Sequence, residues 1–143
     1  MGLDNLKAMV DKAMLVEARE YGDRASAEFY RRLKKGEFSS TKCKSCGKVA
    51  FPPREFCPFC FSDQVEWVPL PRRGRLYAFT QQERSLRFGK PDVIGVVELD
   101  EVGRIFTRID APFEELEIGM EVEFHPLVIS DEETLHQFSP VGK

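Results

Sequence analysis

The chain has 143 residues, of which 42% are hydrophobic and 31% are charged, and its formal net charge is −3. This size and composition indicate a water-soluble protein made of one domain or a few closely joined modules. No apolar run reaches transmembrane length and the first residues lack a basic-then-apolar signal, so we expect a cytoplasmic protein that has no membrane segment and keeps its cysteines reduced.

The charges are distributed unevenly along the chain. Residues 31–54 contain eight basic side chains and one acidic side chain, whereas residues 92–133 contain thirteen acidic and two basic ones. The basic segment can therefore attract an anion, and the acidic segment would repel one.

The N-terminal segment has the apolar period of amphipathic helices. Gly22 suits a helix C-cap and Asp23 the N-cap of a second helix, so we predict a helical hairpin that ends at Gly36. Two short helices are marginal alone, so their apolar stripe must pack on this chain's own barrel, on a second copy or on a partner. We predict partner docking, through Leu6, Met9, Val10, Ala13, Phe29, Tyr30 and Leu33.

The four cysteines form two C-x-x-C pairs, Cys43 with Cys46 and Cys57 with Cys60. This spacing predicts a closed tetrahedral zinc site of four thiolates, which leaves no coordination position for water or substrate. Gly47 allows a tight turn after the first pair, and we expect the second knuckle to be less regular because that glycine is missing. The alternatives are two disulfides, which a reducing compartment disfavours, and iron in place of zinc.

From Pro69 onward the sequence pattern is that of strands. We predict five short strands, with a helical turn at 112–116 before the fourth, which together suggest a Greek-key barrel of the OB type. The expected fold class is mostly β with an N-terminal α segment. The predicted domains are a helical segment at 1–37, a rubredoxin-like zinc ribbon at 38–67 and an OB-fold domain at 68–143.

An ordered series of motifs resembles one known family. The motifs are Phe29-Tyr30-x-x-Leu33-x-x-Gly36-x-Phe38, Cys-x-x-Cys46-Gly47, Phe51-Pro-Pro-Arg54, Cys57-Pro-x-Cys60, a strand entered through Gly74, and Leu116-x-Ile118-Gly119-Met120-x-Val122. They resemble the acyl-CoA-associated zinc-ribbon and OB-fold family, long catalogued as a domain of unknown function. The resemblance implies a protein that associates with thiolase-type enzymes and whose OB domain contacts acyl-CoA.

We therefore expect a non-catalytic accessory subunit that holds acyl-CoA enzymes together and helps to enclose the coenzyme. The expected ligand-binding residues are Phe51, Arg54, Arg72 and Arg75.

Two other classes of function compete with this expectation. Ribbons and OB barrels also bind single-stranded nucleic acid, but the acidic barrel argues against that. An independent enzyme would need a base or nucleophile, and we expect both histidines, His125 and His136, to be ordinary surface or edge residues.

Overall fold

The computed structural model describes residues 24–85 and 90–142. Within these residues the chain forms one helix, α1 (Arg24–Lys34), a ribbon sheet in the order β2-β1-β3 and a closed five-stranded barrel in the order β4-β5-β6-β8-β7. The strands are β1 (Ser39–Cys43), β2 (Val49–Ala50), β3 (Val65–Pro69), β4 (Arg73–Gln82), β5 (Asp92–Leu99), β6 (Gly103–Ile109), β7 (Glu121–Val128) and β8 (Thr134–Pro140). The predicted fold class is confirmed.

Helix α1 ends where the sequence predicts. Gly36 has a φ of +83°, its N–H donates to the carbonyl of Leu33, and the N–H of Glu37 donates to the carbonyl of Arg32, which together form a Schellman cap. The buried residues of α1 are Ala25, Phe29 and Leu33, spaced four apart on one face of the helix. The predicted first helix, with Leu6, Met9, Val10 and Ala13, lies outside the described residues.

In the barrel, strands from distant parts of the chain lie side by side. β8 pairs antiparallel with β7 and parallel with β6, where Arg108 and Ile109 oppose Gln137 and Phe138. β4 closes the barrel against β7, and Gly74 lies at this closure. A Cβ atom on Gly74 would be 2.6 Å from the carbonyl oxygen of Glu98, so glycine is needed for this close approach. The predicted helical turn is the 3₁₀ turn Phe113–Glu115 between β6 and β7.

One hydrophobic cluster joins the helix, the ribbon and the barrel. Phe38 stacks on Phe124 of β7 with ring centroids 4.3 Å apart and nearly parallel planes, and Leu33 of α1 is fully buried in the same cluster. Each such side chain stabilises the packed arrangement by about 1.5–3 kcal/mol. The ribbon and α1 are therefore held against the barrel by a shared core. None of the helices described reaches the length and apolarity required to cross a membrane.

Candidate metal centre and ligand groove

The four cysteine sulfurs converge on a single point at the end of β1. All four lie within 4.8 Å of one another, and the Cys43–Cys60 and Cys46–Cys57 sulfurs are each 3.6 Å apart. Four sulfurs bonded to one zinc ion at about 2.3 Å would be about 3.8 Å apart, so the spacing fits a shared ion. A disulfide would need about 2.05 Å, so the predicted four-cysteine metal centre is confirmed and the disulfide alternative is excluded.

Backbone amides prepare the thiols for metal. The N–H of Cys46 is directed at the Cys43 sulfur, 3.4 Å away, and lowers the pKa of Cys43 to about 6. The N–H of Ser62 favours the thiolate of Cys60, but the neighbouring thiol of Cys43 and burial outweigh it and raise the pKa of Cys60 to about 12. Four thiolates therefore need a cation to balance their charge, which is what a divalent metal ion supplies.

The second knuckle is as regular as the first, contrary to our expectation. The N–H of Gly47 donates to the carbonyl of Cys43 at 2.9 Å, and the N–H of Phe61 donates to the carbonyl of Cys57 at the same distance. Phe61 has a φ of +65° where Gly47 has +77°. Phe61 therefore carries a higher steric cost in this turn than glycine would, while the turn has the same geometry as the first one.

The expected docking residues of α1 fall into two groups. Phe29 and Leu33 are buried, whereas Tyr30 is 45% exposed. Phe29 packs edge-on against Phe51 of the ribbon, with ring centroids 5.7 Å apart. Of these three side chains, only that of Tyr30 is exposed enough to contact a partner protein.

His136 lies in an aromatic enclosure rather than on an open edge. Its ring centroid is 6.0 Å from that of Phe29, 6.5 Å from Phe38 and 5.9 Å from Phe51. The Thr107 hydroxyl is 2.8 Å from His136 Nδ1 and can donate to it when that nitrogen is unprotonated. Burial lowers the pKa of His136 to about 4, so the ring is neutral at pH 7.

The four expected ligand-binding residues have different surroundings. Phe51 belongs to the enclosure around His136, and the Arg72 guanidinium lies over the Phe124 ring at 4.8 Å. Arg75 is 4.0 Å from carboxylate oxygens of both Glu98 and Asp100 on the barrel. Arg54 is exposed and lines a groove of about 670 Å³ between α1 and the ribbon sheet.

This groove contains residues that the sequence analysis did not single out. Arg24 and Arg31 of α1 line it together with Arg54 and Trp67. The seven-residue spacing of Arg24 and Arg31 places them on one helix face, which is the sequence signal that could have linked them. The carboxylates in the groove are Glu28 and Glu55, and Glu28 pairs with Arg31 and Arg32. The groove is therefore lined by three arginines, two carboxylates and several apolar side chains.

The fold and the metal centre define a class, that of zinc-ribbon and OB-fold proteins. Sequence models of two such domains match the chain, the ChsH2 rubredoxin-like zinc ribbon domain at residues 32–66 and the ChsH2 C-terminal OB-fold domain at residues 67–125. The chain belongs to this ChsH2 (DUF35) family, which confirms the family resemblance.

Three relatives illustrate the family. The chain is 39% identical over 70 residues to benzoylsuccinyl-CoA thiolase subunit BbsA of Thauera aromatica, covering 48% of this chain and 49% of that protein. It is 37% identical over 87 residues to a DUF35 domain-containing scaffold protein of Methanocaldococcus jannaschii, covering 57% of this chain and 62% of that protein. These matches span about half to three-fifths of the relatives' length. A solved structure described as the Ltp2-ChsH2(DUF35) aldolase matches with a TM-score of 0.74 and 28% identity, over 82% of this chain and 95% of that one.

Proposed function

We propose that this chain is a cytoplasmic, non-catalytic accessory subunit of a thiolase-type acyl-CoA enzyme. The observation that carries the proposal is family membership together with 39% identity to a protein named as a thiolase subunit. The scaffold name of the methanogen relative supports the same kind of role. The description of the matched structure as an Ltp2-ChsH2(DUF35) aldolase supports association with an enzyme.

The chemistry of the site favours a structural role over a catalytic one. The four thiols satisfy all four positions of a tetrahedral ion, so a bound zinc would stabilise the ribbon and would have no position left for substrate. His136 is enclosed by aromatic rings, so it is not positioned to act as a general base on a substrate. His125 Nε2 lies 3.5 Å from a carboxylate oxygen of Glu123.

The groove supports a contribution to acyl-CoA binding. Arg24, Arg31 and Arg54 offer charge to the phosphates of the coenzyme, and Trp67, whose ring lies 4.7 Å from the Arg32 guanidinium, adds apolar surface to the groove. Two carboxylates in the same groove, Glu28 and Glu55, leave a surplus of only one positive charge. We therefore propose that the isolated chain binds coenzyme A weakly and that the partner enzyme completes the site.

The barrel surface does not favour the nucleic-acid alternative. A surface that binds a phosphate backbone needs unpaired basic side chains. Arg75 and Arg104 each lie against Glu98, at 4.0 and 3.4 Å, so their charge is balanced within the barrel.

Co-purification from the native source tests the proposal. A tagged chain should bring down a thiolase-type enzyme that is identifiable by mass spectrometry, and the two purified proteins should elute together in size-exclusion chromatography. The chain alone should show no turnover of acyl-CoA, and the enzyme should gain activity when the chain is added. Turnover of acyl-CoA by the chain alone, or recovery of the chain with no acyl-CoA enzyme, would refute the proposal.

A further inference from the structure

Three aromatic side chains are exposed around the second zinc knuckle. Phe56 is 52% exposed, Phe59 is 56% exposed and Phe61 is 76% exposed. They lie within a six-residue segment that also contains two metal ligands, Cys57 and Cys60. We call Phe56, Phe59 and Phe61 the aromatic knuckle. The ligands fix the backbone of this segment, so its phenyl rings are held in place without a core of their own.

Phe61 is the most informative member of the aromatic knuckle. Its φ of +65° lies in the left-handed region, which Gly47 occupies in the first knuckle at no steric cost. The phenyl ring recovers little of this cost by packing, because it is largely exposed. Glycine at this position would give the chain higher folding stability and higher solubility. An exposed phenylalanine in a strained position is therefore best explained by a contact outside this chain.

The surroundings of the aromatic knuckle are cationic. Lys48 Nζ lies 4.8 Å above the Phe59 ring, and Lys44 is exposed in the first knuckle. Neither ammonium group forms an ion pair with any residue in the ranges 24–85 and 90–142. The complementary surface is an apolar recess with carboxylates at its rim.

We propose that the aromatic knuckle anchors this chain to its thiolase-type partner enzyme, with Phe61 seated in an apolar recess of the enzyme and Lys44 and Lys48 facing acidic residues at the rim. The inference rests on the proposed accessory function and assigns the docking surface within it. A rigid aromatic anchor suits this purpose because little conformational freedom is lost when it binds.

The substitution Phe61→Gly separates docking from stability. Glycine removes the strain at this position but adds freedom to the unfolded chain, so we expect zinc release to a competing chelator to slow by a factor of about two to five. The same variant should bind the enzyme identified by co-purification about tenfold more weakly, as measured by calorimetry with both purified proteins. Phe61→Asn, which also tolerates positive φ, should weaken binding similarly. A purely structural role for Phe61 would move zinc retention and enzyme binding in the same direction.

Phe106→Ala is the matched control, because Phe106 is 64% exposed on the barrel. This variant should bind the enzyme as the wild type does. Unchanged affinity in Phe61→Gly, or an equal loss in Phe106→Ala, would overturn the docking assignment while leaving the accessory function in place. Binding of a single-stranded oligonucleotide that is lost in Phe61→Gly would assign the surface to nucleic acid and would also overturn it. If no acyl-CoA enzyme co-purifies with the wild type, the proposed function itself has failed.

Discussion

The enclosure of His136 predicts a specific dependence of stability on pH. Its pKa is lowered from 6.5 to about 4 by burial among Phe29, Phe38 and Phe51. The unfolded chain binds a proton at this residue below pH 6.5, whereas the folded chain resists it until about pH 4. Stability from the neutral ring is therefore fully present above pH 6.5 and is lost as the pH falls through this window.

The magnitude follows from the two pKa values. Between pH 7 and pH 5, proton binding to the unfolded state alone should lower the free energy of unfolding by about 2 kcal/mol. The Thr107 hydroxyl, 2.8 Å from Nδ1, can donate to that nitrogen only when it is unprotonated, in keeping with a neutral ring in the folded state. Replacing His136 by Gln removes the titrating group, so this part of the pH dependence should disappear.

Urea unfolding of wild type and His136→Gln at pH 7, 6 and 5 measures this contribution. Taking the difference between the two proteins cancels the acid sensitivity of the metal site, which they share. His125→Gln is the comparison variant, because it removes a histidine that is about half exposed and lies outside the aromatic enclosure. Equal slopes for wild type and His136→Gln would refute the reasoning.

Three further predictions concern the metal, the groove and the helix. Purified protein should contain about one zinc per chain by metal analysis. Cys57→Ser should abolish metal binding and unfold the ribbon, while part of the circular dichroism signal of the barrel remains. A folded, metal-free ribbon would contradict this prediction. In the complex with its enzyme, Arg54→Glu should weaken coenzyme A binding about tenfold, as measured by calorimetry. Arg75→Glu on the barrel is the control and should leave that affinity unchanged. Binding of coenzyme A by the chain alone with a micromolar dissociation constant would instead indicate an independent carrier. Phe29→Ala should lower the free energy of unfolding by about 3–5 kcal/mol in urea titrations, with Tyr30→Ala as the exposed control, and equal small losses would show that α1 is not part of the core.

The metal centre could be predicted from the sequence because its determinants are local. A C-x-x-C pair places two thiols on one turn whatever the rest of the fold, and no other cysteine competes for these positions. The OB barrel was predictable from strand alternation and the turn before the fourth strand. The regular geometry of the second knuckle was not predictable from the sequence. Glycine is only preferred at positive φ, and bonds to the metal can offset the cost of placing Phe61 there.

The composition of the ligand groove could not be predicted from the sequence. Of the expected ligand-binding arginines, Arg72 lies over Phe124 and Arg75 lies beside Glu98. Only Arg54 lines the groove, together with Arg24, Arg31 and Trp67, which were not among the expected residues. Those groups come from α1, from between the two knuckles and from β3. Proximity between such distant segments depends on how the ribbon and helix pack on the barrel, which no local pattern encodes.

The sequence by itself determined the four metal ligands, the alternating barrel strands and the end of α1 at Gly36, because each depends on residues a few positions apart. The tertiary structure decided what covers each apolar face. Periodicity identified Phe29 and Leu33 as one stripe, but the barrel and ribbon close over them and leave Tyr30 outside. The tertiary structure also decided the state of His136, which in the sequence is a strand residue among polar neighbours. In the fold its ring is neutral and enclosed, because Phe29, Phe51 and Thr107 reach it from three distant elements. Burial is a property of contacts between such elements, so it was fixed only when the chain folded.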